Sequence, residues 1–462
     1  MSNHTVPQPL WANRTFLRLF SSQLIALTGT GLATVALALL AYQLQPESAG
    51  ALLGSLLAVK MVAYLLIAPV AASIAERFSR KGWLIGVNLL RALVLCCLPW
   101  VNDIWQVVVL IFALNAATAA YTPIYQAMLP DLLPDEEQYT KALSWSRIAV
   151  EVESLVSPSL AALLLLIMGS AQLFNLNALA LFLTVIIIAT TSLPPRQPAE
   201  RSGGWQQQAL FGIRAYLATP RLRGLLALHW VVSCTGAMVI VNTVVYVRQY
   251  LGLSEAMVGW AMAASGAGAM LIALFLPRLL NVVHDRPVML VGGAIGVVAL
   301  ALAALQPGLT GLLMLWFMIG ASLSLVLTPA GRVLRLSCRE SDRGAYFAAN
   351  FALSHGGWLL AYLLSGWSLN WLGISFSFML MAVVAGIGLA AALWLWPVSE
   401  QAELEHLHPA MDHEHLHYHD EHHQHSHQGW EGPEPHAHNH HHPELRHRHR
   451  FVIDEHHMHW PG

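Results

Sequence analysis

Charge is scarce in this chain. Asp, Glu, Lys and Arg together make up 11% of its 462 residues, against about 25% in an ordinary soluble domain. Hydrophobic residues make up 56%, which excludes a water-soluble globule with a polar shell. Cysteine is nearly absent: Cys96, Cys97, Cys234 and Cys338 are the four. Their spacing suits neither a disulfide framework nor a zinc site, so they read as small buried apolar residues. No cleavable leader is expected, because Met1 to Asn13 is polar and the first apolar run is long and lacks a cleavage pattern.

What charge there is falls into two blocks. Up to Pro397 the chain holds 21 Lys plus Arg and 14 Asp plus Glu, a balance of +7. From Val398 onward it holds 3 Arg and 12 acids, a balance of -9 with histidine neutral. A basic, apolar body therefore carries an acidic tail. Histidine sharpens the division: 20 of 24 lie between His406 and His459. Imidazole is the commonest protein metal ligand and suits nickel, zinc, copper and cobalt.

A membrane-spanning helix needs about 20 mostly apolar residues. Such runs fall at 19–42, 49–72, 83–101, 105–127, 143–168, 172–193, 224–247, 256–279, 287–305, 309–330, 344–367 and 373–396. The expected fold class is an all-α polytopic membrane protein with twelve transmembrane helices in two six-helix halves, followed by a tail. The expected domains are an N-terminal half at 1–193, a linker at 194–222, a C-terminal half at 223–397 and a disordered tail at 398–462. The linker contains Pro194, Pro195, Pro198, Gly203 and Gly204, then a short amphipathic helix with Trp205, Leu210, Phe211, Ile213 and Tyr216. One set of loops carries nearly all the basic residues, among them Arg14, Arg77, Arg80, Lys81, Lys141, Arg214, Arg286, Arg332 and Arg343; the other set carries only Arg248. The basic side is cytoplasmic by the positive-inside rule, which puts both termini in the cytoplasm. The halves echo each other: Glu76-Arg77 precedes Leu84-Ile85-Gly86, and Asp285-Arg286 precedes Leu290-Val291-Gly292, as in transporters built from repeats.

The stretch Ala72-Ser73-Ile74-Ala75-Glu76-Arg77-Phe78-Ser79-Arg80-Lys81 resembles the loop 2–3 signature of the major facilitator superfamily, Gly-x-x-x-Asp-Arg-x-Gly-Arg-Lys. Glu76, Arg77, Arg80 and Lys81 keep its charges in order, while Ala72 and Ser79 replace its glycines. The segment Tyr121-Thr122-Pro123-Ile124-Tyr125-Gln126-Ala127-Met128-Leu129-Pro130-Asp131-Leu132 is similar to the end of span 4 in the drug- and siderophore-exporting bacterial branch. A facilitator-type exporter of this length with a His-rich cytoplasmic tail resembles the NreB-type nickel-resistance exporters. That resemblance implies efflux of nickel, with cobalt, driven by proton antiport across a bacterial inner membrane.

Ionisable side chains at membrane depth are costly and are usually functional or paired. At about 1.5 Å rise per residue, Lys60 and His355 lie roughly 17 Å into their spans, Glu151 about 12 Å and Glu153 about 15 Å. His229 and Arg91 are shallower. Glu151 and Glu153 differ by about 200° around a helix, so they cannot share a face. Arg147, four residues before Glu151, is its expected ion-pair partner. Glu153 is then the carboxylate expected to hold a proton or a divalent cation by turns. Lys60 repels cations and is expected to partner a span 5 carboxylate. His355 and His229 are either pathway residues or hydrogen-bonded structural histidines. Asn115, Asn242 and Asn350 could supply neutral oxygen to the pathway.

The tail has too little apolar surface to fold by burial, and Pro409, Pro433, Pro435, Pro443 and Pro461 break any long helix. Its candidate metal ligands are His406, His408, His413, His415, His417, His419, His422, His423, His425, His427, His436, His438, His440, His441, His442, His447, His449, His456, His457 and His459. His-x-His recurs through it, and in an extended chain residues i and i+2 point to one side, so each pair is a bidentate nitrogen site. Asp412, Glu414, Asp420 and Glu421 add charge attraction. A pH-sensing tail is the rival reading. Nickel, cobalt and zinc are the expected ions, with affinity alone favouring copper.

The reading is a transporter, not an enzyme, with no prosthetic group. A divalent cation, protons and the lipid bilayer are the expected partners. A nucleic-acid partner is not expected, and the protein is expected to act as a monomer. The alternatives are an exporter of an organic compound with a metal-sensing tail, and a membrane sensor that transports nothing.

Overall fold

The structure is a computed structural model, and it describes residues 10–44, 49–195 and 205–398, together with 404–408, 411–417, 436–442 and 445–449 of the tail. The body is helical throughout. Six helices come first: α1 (Arg14–Leu44), α2 (Ala49–Ala75), α3 (Arg80–Cys97), α4 (Ile104–Leu132), α5 (Glu136–Leu164) and α6 (Ser170–Ala189). The linker helix α7 (Trp205–Ala218) follows, as the amphipathic pattern at Leu210–Tyr216 predicts. Then come α8 (Pro220–Val245), α9 (Glu255–Leu280), α10 (Asp285–Ala303), α11 (Leu309–Arg335) and α12 (Arg343–Leu395).

Local chemistry sets several of these ends. Ser79, where the facilitator signature has glycine, accepts the Gly82 amide at 3.1 Å and caps α3. Asp135 caps α5 by accepting the Gln138 amide at 2.8 Å. Both satisfy amides that an uncapped N-terminus would leave open. α12 is two helices joined at Gly373, whose φ of 74° and ψ of 175° interrupt the α conformation. That backbone region is essentially reserved for glycine, and it separates the arms 343–372 and 373–395 where the expected spans 344–367 and 373–396 part.

Counting the two arms of α12 separately, ten of the long helical segments are apolar and long enough to cross a membrane among the described residues. The two others that were expected as spans, α5 and the arm 343–372, fall outside that set. α5 carries Arg147, Glu151 and Glu153 along one run, and 343–372 carries Arg343 and a series of Asn, Ser and His residues. Both are nonetheless long helices where spans 143–168 and 344–367 were expected. These polar segments pack on neighbouring helices: α5 on α1 and α9, and α12 on α8 and α2.

The helices α1–α6 pack on one another, as do α8–α12. α2 with α12, α5 with α9 and α11, and α4 with α12 join the two groups. Prolines sit inside α2, α4, α9 and α11 (Pro69, Pro123, Pro130, Pro277 and Pro329). Membrane helices tolerate this because neighbours re-satisfy the freed carbonyls.

The tail departs from the disorder expected over 398–462. β1 (Leu404–His408) pairs antiparallel with β4 (Leu445–His449), and β2 (Met411–His417) pairs antiparallel with β3 (His436–His442). The alternation in His-x-His is the period of a strand. The prolines punctuate the strands instead of preventing them: Pro409 lies between β1 and β2, and Pro443 between β3 and β4. The remainder of the tail lies outside the described residues, and so does the expectation of disorder there.

Candidate functional site

Four elements bring the expected membrane charges together: α2, α5, α8 and the first arm of α12. The Lys60 ammonium lies 5.6 Å from the centroid of the Tyr64 ring, one turn on along α2. Tyr64 meets His355 of α12 edge to face at 4.8 Å and Phe351 at 4.9 Å. His355 is in turn within electrostatic reach of Lys60 and His229. Lys60 is also within electrostatic reach of Glu153. The sequence-derived set Lys60, Glu153, His355 and His229 is therefore one neighbourhood, assembled from both groups of helices.

Each carboxylate has a distinct role in the packing. Glu151 is ion-paired with Arg147, as the spacing predicts. Glu153 points elsewhere and accepts a hydrogen bond from the Ser157 hydroxyl at 3.2 Å. Gly31 of α1 makes room for that pair: a Cβ there would lie 2.1 Å from Ser157 Oγ and 2.2 Å from Glu153 Oε1. Glu153 is thus half-buried, held by a hydroxyl, and near a cation without being clamped to it. The Lys60 partnership expected from the sequence is one of proximity.

The two histidines are fixed alike. His355 Nδ1 donates to the Phe351 carbonyl at 2.7 Å, and His229 Nδ1 donates to the Leu225 carbonyl at 3.0 Å. A carbonyl can only accept, so the proton sits on Nδ1 and a neutral ring keeps a lone pair on Nε2. Arg91 lies apart, between α2, α3 and α4. It donates to Asn88 Oδ1 at 3.0 Å and lies 5.7 Å from the centroid of the Tyr121 ring. Asn242 donates to Ser365 Oγ at 2.9 Å while its own Oδ1 is buried without a partner, and Asn115 donates to the Ile111 carbonyl at 2.7 Å. Asn350 accepts from the Tyr216 hydroxyl at 3.0 Å, tying the linker helix to α12. Burial pushes the Tyr216 phenol upward, which keeps it a neutral donor.

The loop 2–3 signature leads to a second assembly that the sequence does not single out. Arg80 pairs with Asp131 at 2.5 Å, at the end of α4. Asp131 also pairs with Arg343 at the start of α12. On the other side Asp285, at the start of α10, accepts from Arg332 at 2.9 Å, at the end of α11. Arg332 also reaches Glu136 at the start of α5, at 2.5 Å. The two sets are related by the repeat with their charges exchanged. Arg80 and Asp285 open equivalent helices, Asp131 and Arg332 lie at equivalent helix ends, and Arg343 and Glu136 at the starts of equivalent partner helices. The signal available in the sequence was the loop echo at Glu76-Arg77 and Asp285-Arg286; the helix-end partners are distant in the chain. Arg77 is exposed, Glu76 and Lys81 are half-buried, and Arg80 is the signature residue whose ion pair is buried.

The tail histidines divide into two sets. His406, His408, His413, His415, His417, His436, His438, His440, His441, His442, His447 and His449 lie in strands. The register sets His413 opposite His440, His415 opposite His438, His417 opposite His436, and His406 opposite His447. His419, His422, His423, His425, His427, His456, His457 and His459 lie outside the described residues.

Similarity to known proteins agrees with this architecture. The chain is 26% identical over 383 residues to the uncharacterized MFS-type transporter YfiS of Bacillus subtilis (strain 168), covering 80% of this chain and 90% of that one. It is 28% identical over 136 residues to macrolide efflux protein A of Streptococcus pyogenes, a stretch that is 28% of this chain and only 33% of the relative. Among solved structures, the human organic anion transporter MFSD10 (TETRAN) superposes with a TM-score of 0.73 at 13% identity, over 84% of this chain and 100% of that one. The proton:xylose symporter XylE superposes with a TM-score of 0.67 at 14% identity, over 83% and 96%. Likeness at such identity bears on the fold alone. The family model for the Major Facilitator Superfamily matches residues 19–246 and 225–423, and the chain belongs to that family of membrane transporters.

Proposed function

We propose that this protein is a twelve-span secondary transporter of a bacterial inner membrane. On this reading both termini are cytoplasmic and it exports a divalent metal cation by proton antiport. Nickel is the first ion in the reading, with cobalt and zinc as competitors. The observation that carries it is the tail register: on β2 and β3, alternate histidines stand directly opposite alternate histidines. Alternate positions share a face of a ribbon, and directly opposite positions are about 5 Å apart at Cβ. A ladder that sets histidine opposite histidine at alternate positions concentrates imidazole, which suits nickel, copper or zinc. In the body, Glu153 exchanges proton for cation, His355 offers Nε2, and Lys60 opposes a cation that stays too long. Arg147 keeps Glu151 out of this exchange.

Export of an organic compound is the second reading. The macrolide efflux relative supports it. Nickel accumulation in cells separates the two. We expect the intact chain to lower accumulation, Glu153→Gln to abolish the effect, and a chain ending at Ser399 to retain part of it. Unchanged accumulation with the intact chain, together with export of an organic dye, would establish the second reading instead.

A further inference from the structure

A groove of about 440 Å³ opens on the outer surface of the second group of helices, between α8 and the two arms of α12, with Leu217 of the linker helix at its rim. It shares His229 in its wall with the Lys60–Glu153 neighbourhood. Its floor is built for depth: Gly357 lies on one arm of α12 and Gly388 on the other, and a Cβ at Gly388 would stand 2.8 Å from the Trp230 ring. Its sides are Ala227, Ala391 and other aliphatic carbons. Ile387 on the rim is 64% exposed, so the groove faces outward. The volume is that of a small-molecule site.

The mouth has the opposite chemistry. Arg223 sits in the first turn of α8, at the basic end, where its neighbour Gly224 packs against Trp396 at the close of α12. Its Nε is buried without a hydrogen-bond partner. The nearby carboxylates of the basic end, Asp131, Glu136 and Asp285, are engaged by Arg80, Arg343 and Arg332. The N-terminal end of α8 adds positive helix-dipole potential at the same level. One turn before Leu217, Arg214 is exposed on the linker helix. A cation with unused donors at the membrane surface, above an apolar slot running along the helices, matches one kind of molecule: an anionic head on a hydrocarbon chain. Guanidinium suits phosphate through its planar fork of donors, and basic pockets between spans on this side of a membrane hold anionic lipid heads.

We propose that this groove binds an anionic phospholipid, with the headgroup phosphate on Arg223 and one acyl chain along Ala227, Trp230, Gly388 and Ala391. The site is independent of the cargo, so it stands or falls apart from the metal-export reading.

The test uses the full-length protein in a mild detergent, titrated with dioleoyl phosphatidylglycerol or dioleoyl phosphatidylcholine and read by native mass spectrometry. The first phosphatidylglycerol should bind at least about five-fold more tightly than phosphatidylcholine, the worth of one basic residue at a membrane surface. Arg223→Gln should bring the two lipids to equal affinity, Arg223→Lys should keep most of the preference, and Ala391→Phe should weaken both by filling the slot. Equal affinity for the two headgroups in the unmodified protein would overturn the proposal without recourse to any variant. So would a preference that survives Arg223→Gln. Displacement of the bound lipid by millimolar inorganic phosphate would mark a free-anion site and overturn it as well.

Discussion

Replacing Arg343 with Gln should loosen the basic end of the transporter. Arg343 and Asp131 belong to different helix groups, and their side chains are 8% and 14% exposed. Breaking a buried ion pair by removing one member costs about 3–5 kcal/mol when the other is left uncompensated. Asp131 would not be left alone, because Arg80 still holds it at 2.5 Å within its own group. Discounting for that, a loss of about 1.5–3 kcal/mol of contact between the groups is reasonable, and each 1.4 kcal/mol is a factor of ten in an equilibrium. The population open at this end should therefore rise about 10- to 100-fold. The assay is a spin-label distance between Phe78 and Val282, exposed sites on the equivalent loops of the two groups, in a background with Cys96, Cys97, Cys234 and Cys338 replaced. Arg343→Gln should move the distance distribution to longer values. Glu340→Gln should not, because Glu340 is 56% exposed and an exposed pair contributes at most a few tenths of a kcal/mol. A folded Arg343→Gln protein with an unchanged distribution would refute the reasoning, as would an equal response to Glu340→Gln.

Gly320→Ala should destabilise by about 3 kcal/mol or more, because its Cβ would stand 1.8 Å from the Ser265 carbonyl oxygen and force α9 and α11 apart; thermal unfolding in detergent checks this. Gly373→Ala should cost about 1–3 kcal/mol through strain at a φ of 74°, and an unchanged midpoint would mean that the break relaxes. Gly31→Val should disrupt the Glu153–Ser157 hydrogen bond. Its main effect should fall on transport, since the crowded atoms are side-chain ends that can swing aside. Ending the chain at Ser399 should raise the nickel concentration for half-maximal export several-fold while leaving the maximal rate nearly unchanged. A fall in the maximal rate with an unchanged half-maximal concentration would show that the tail serves the transport step itself.

The sequence made the helical body legible because apolar run length is the dominant signal in a membrane protein. It placed the start of α2 at 49, that of α11 at 309 and the break in α12 near 373. The apolar signal is weakest where polar residues interrupt the runs, in α5 and at 343–372, yet both are helices where spans were expected. The Arg147–Glu151 pair was legible because both lie on one helix, four residues apart. The links from Asp131 to Arg343 and from Glu136 to Arg332 were not, since they span about two hundred residues and depend on how the halves meet. Tail strands escaped for another reason. The alternation that marked the His pairs was already the strand signal.

On the metal-export reading, the exchanged charges of the two ion-pair sets matter to the path of the cation. While the basic end is closed, Asp131 and Glu136 are occupied by Arg343 and Arg332, and the body as a whole carries +7. A divalent cation approaching that end meets net repulsion. The tail leaves the body at this same end, after Trp396, and carries -9 with histidine neutral. Tethering holds its imidazoles at an effective concentration in the millimolar range near the mouth, beyond the reach of simple surface charge, which salt screens within about 8 Å. When the end opens, Arg343 and Arg332 withdraw with the second helix group. Asp131 keeps Arg80, but Glu136 loses its arginine and becomes a carboxylate free to receive a cation. The asymmetry of the two sets thus provides an acidic step on one wall, between the collecting tail and Glu153 on the same helix, α5. Collection and selection are then separate tasks: the tail sets how often a cation is present at the mouth, and α5 sets which cation goes further.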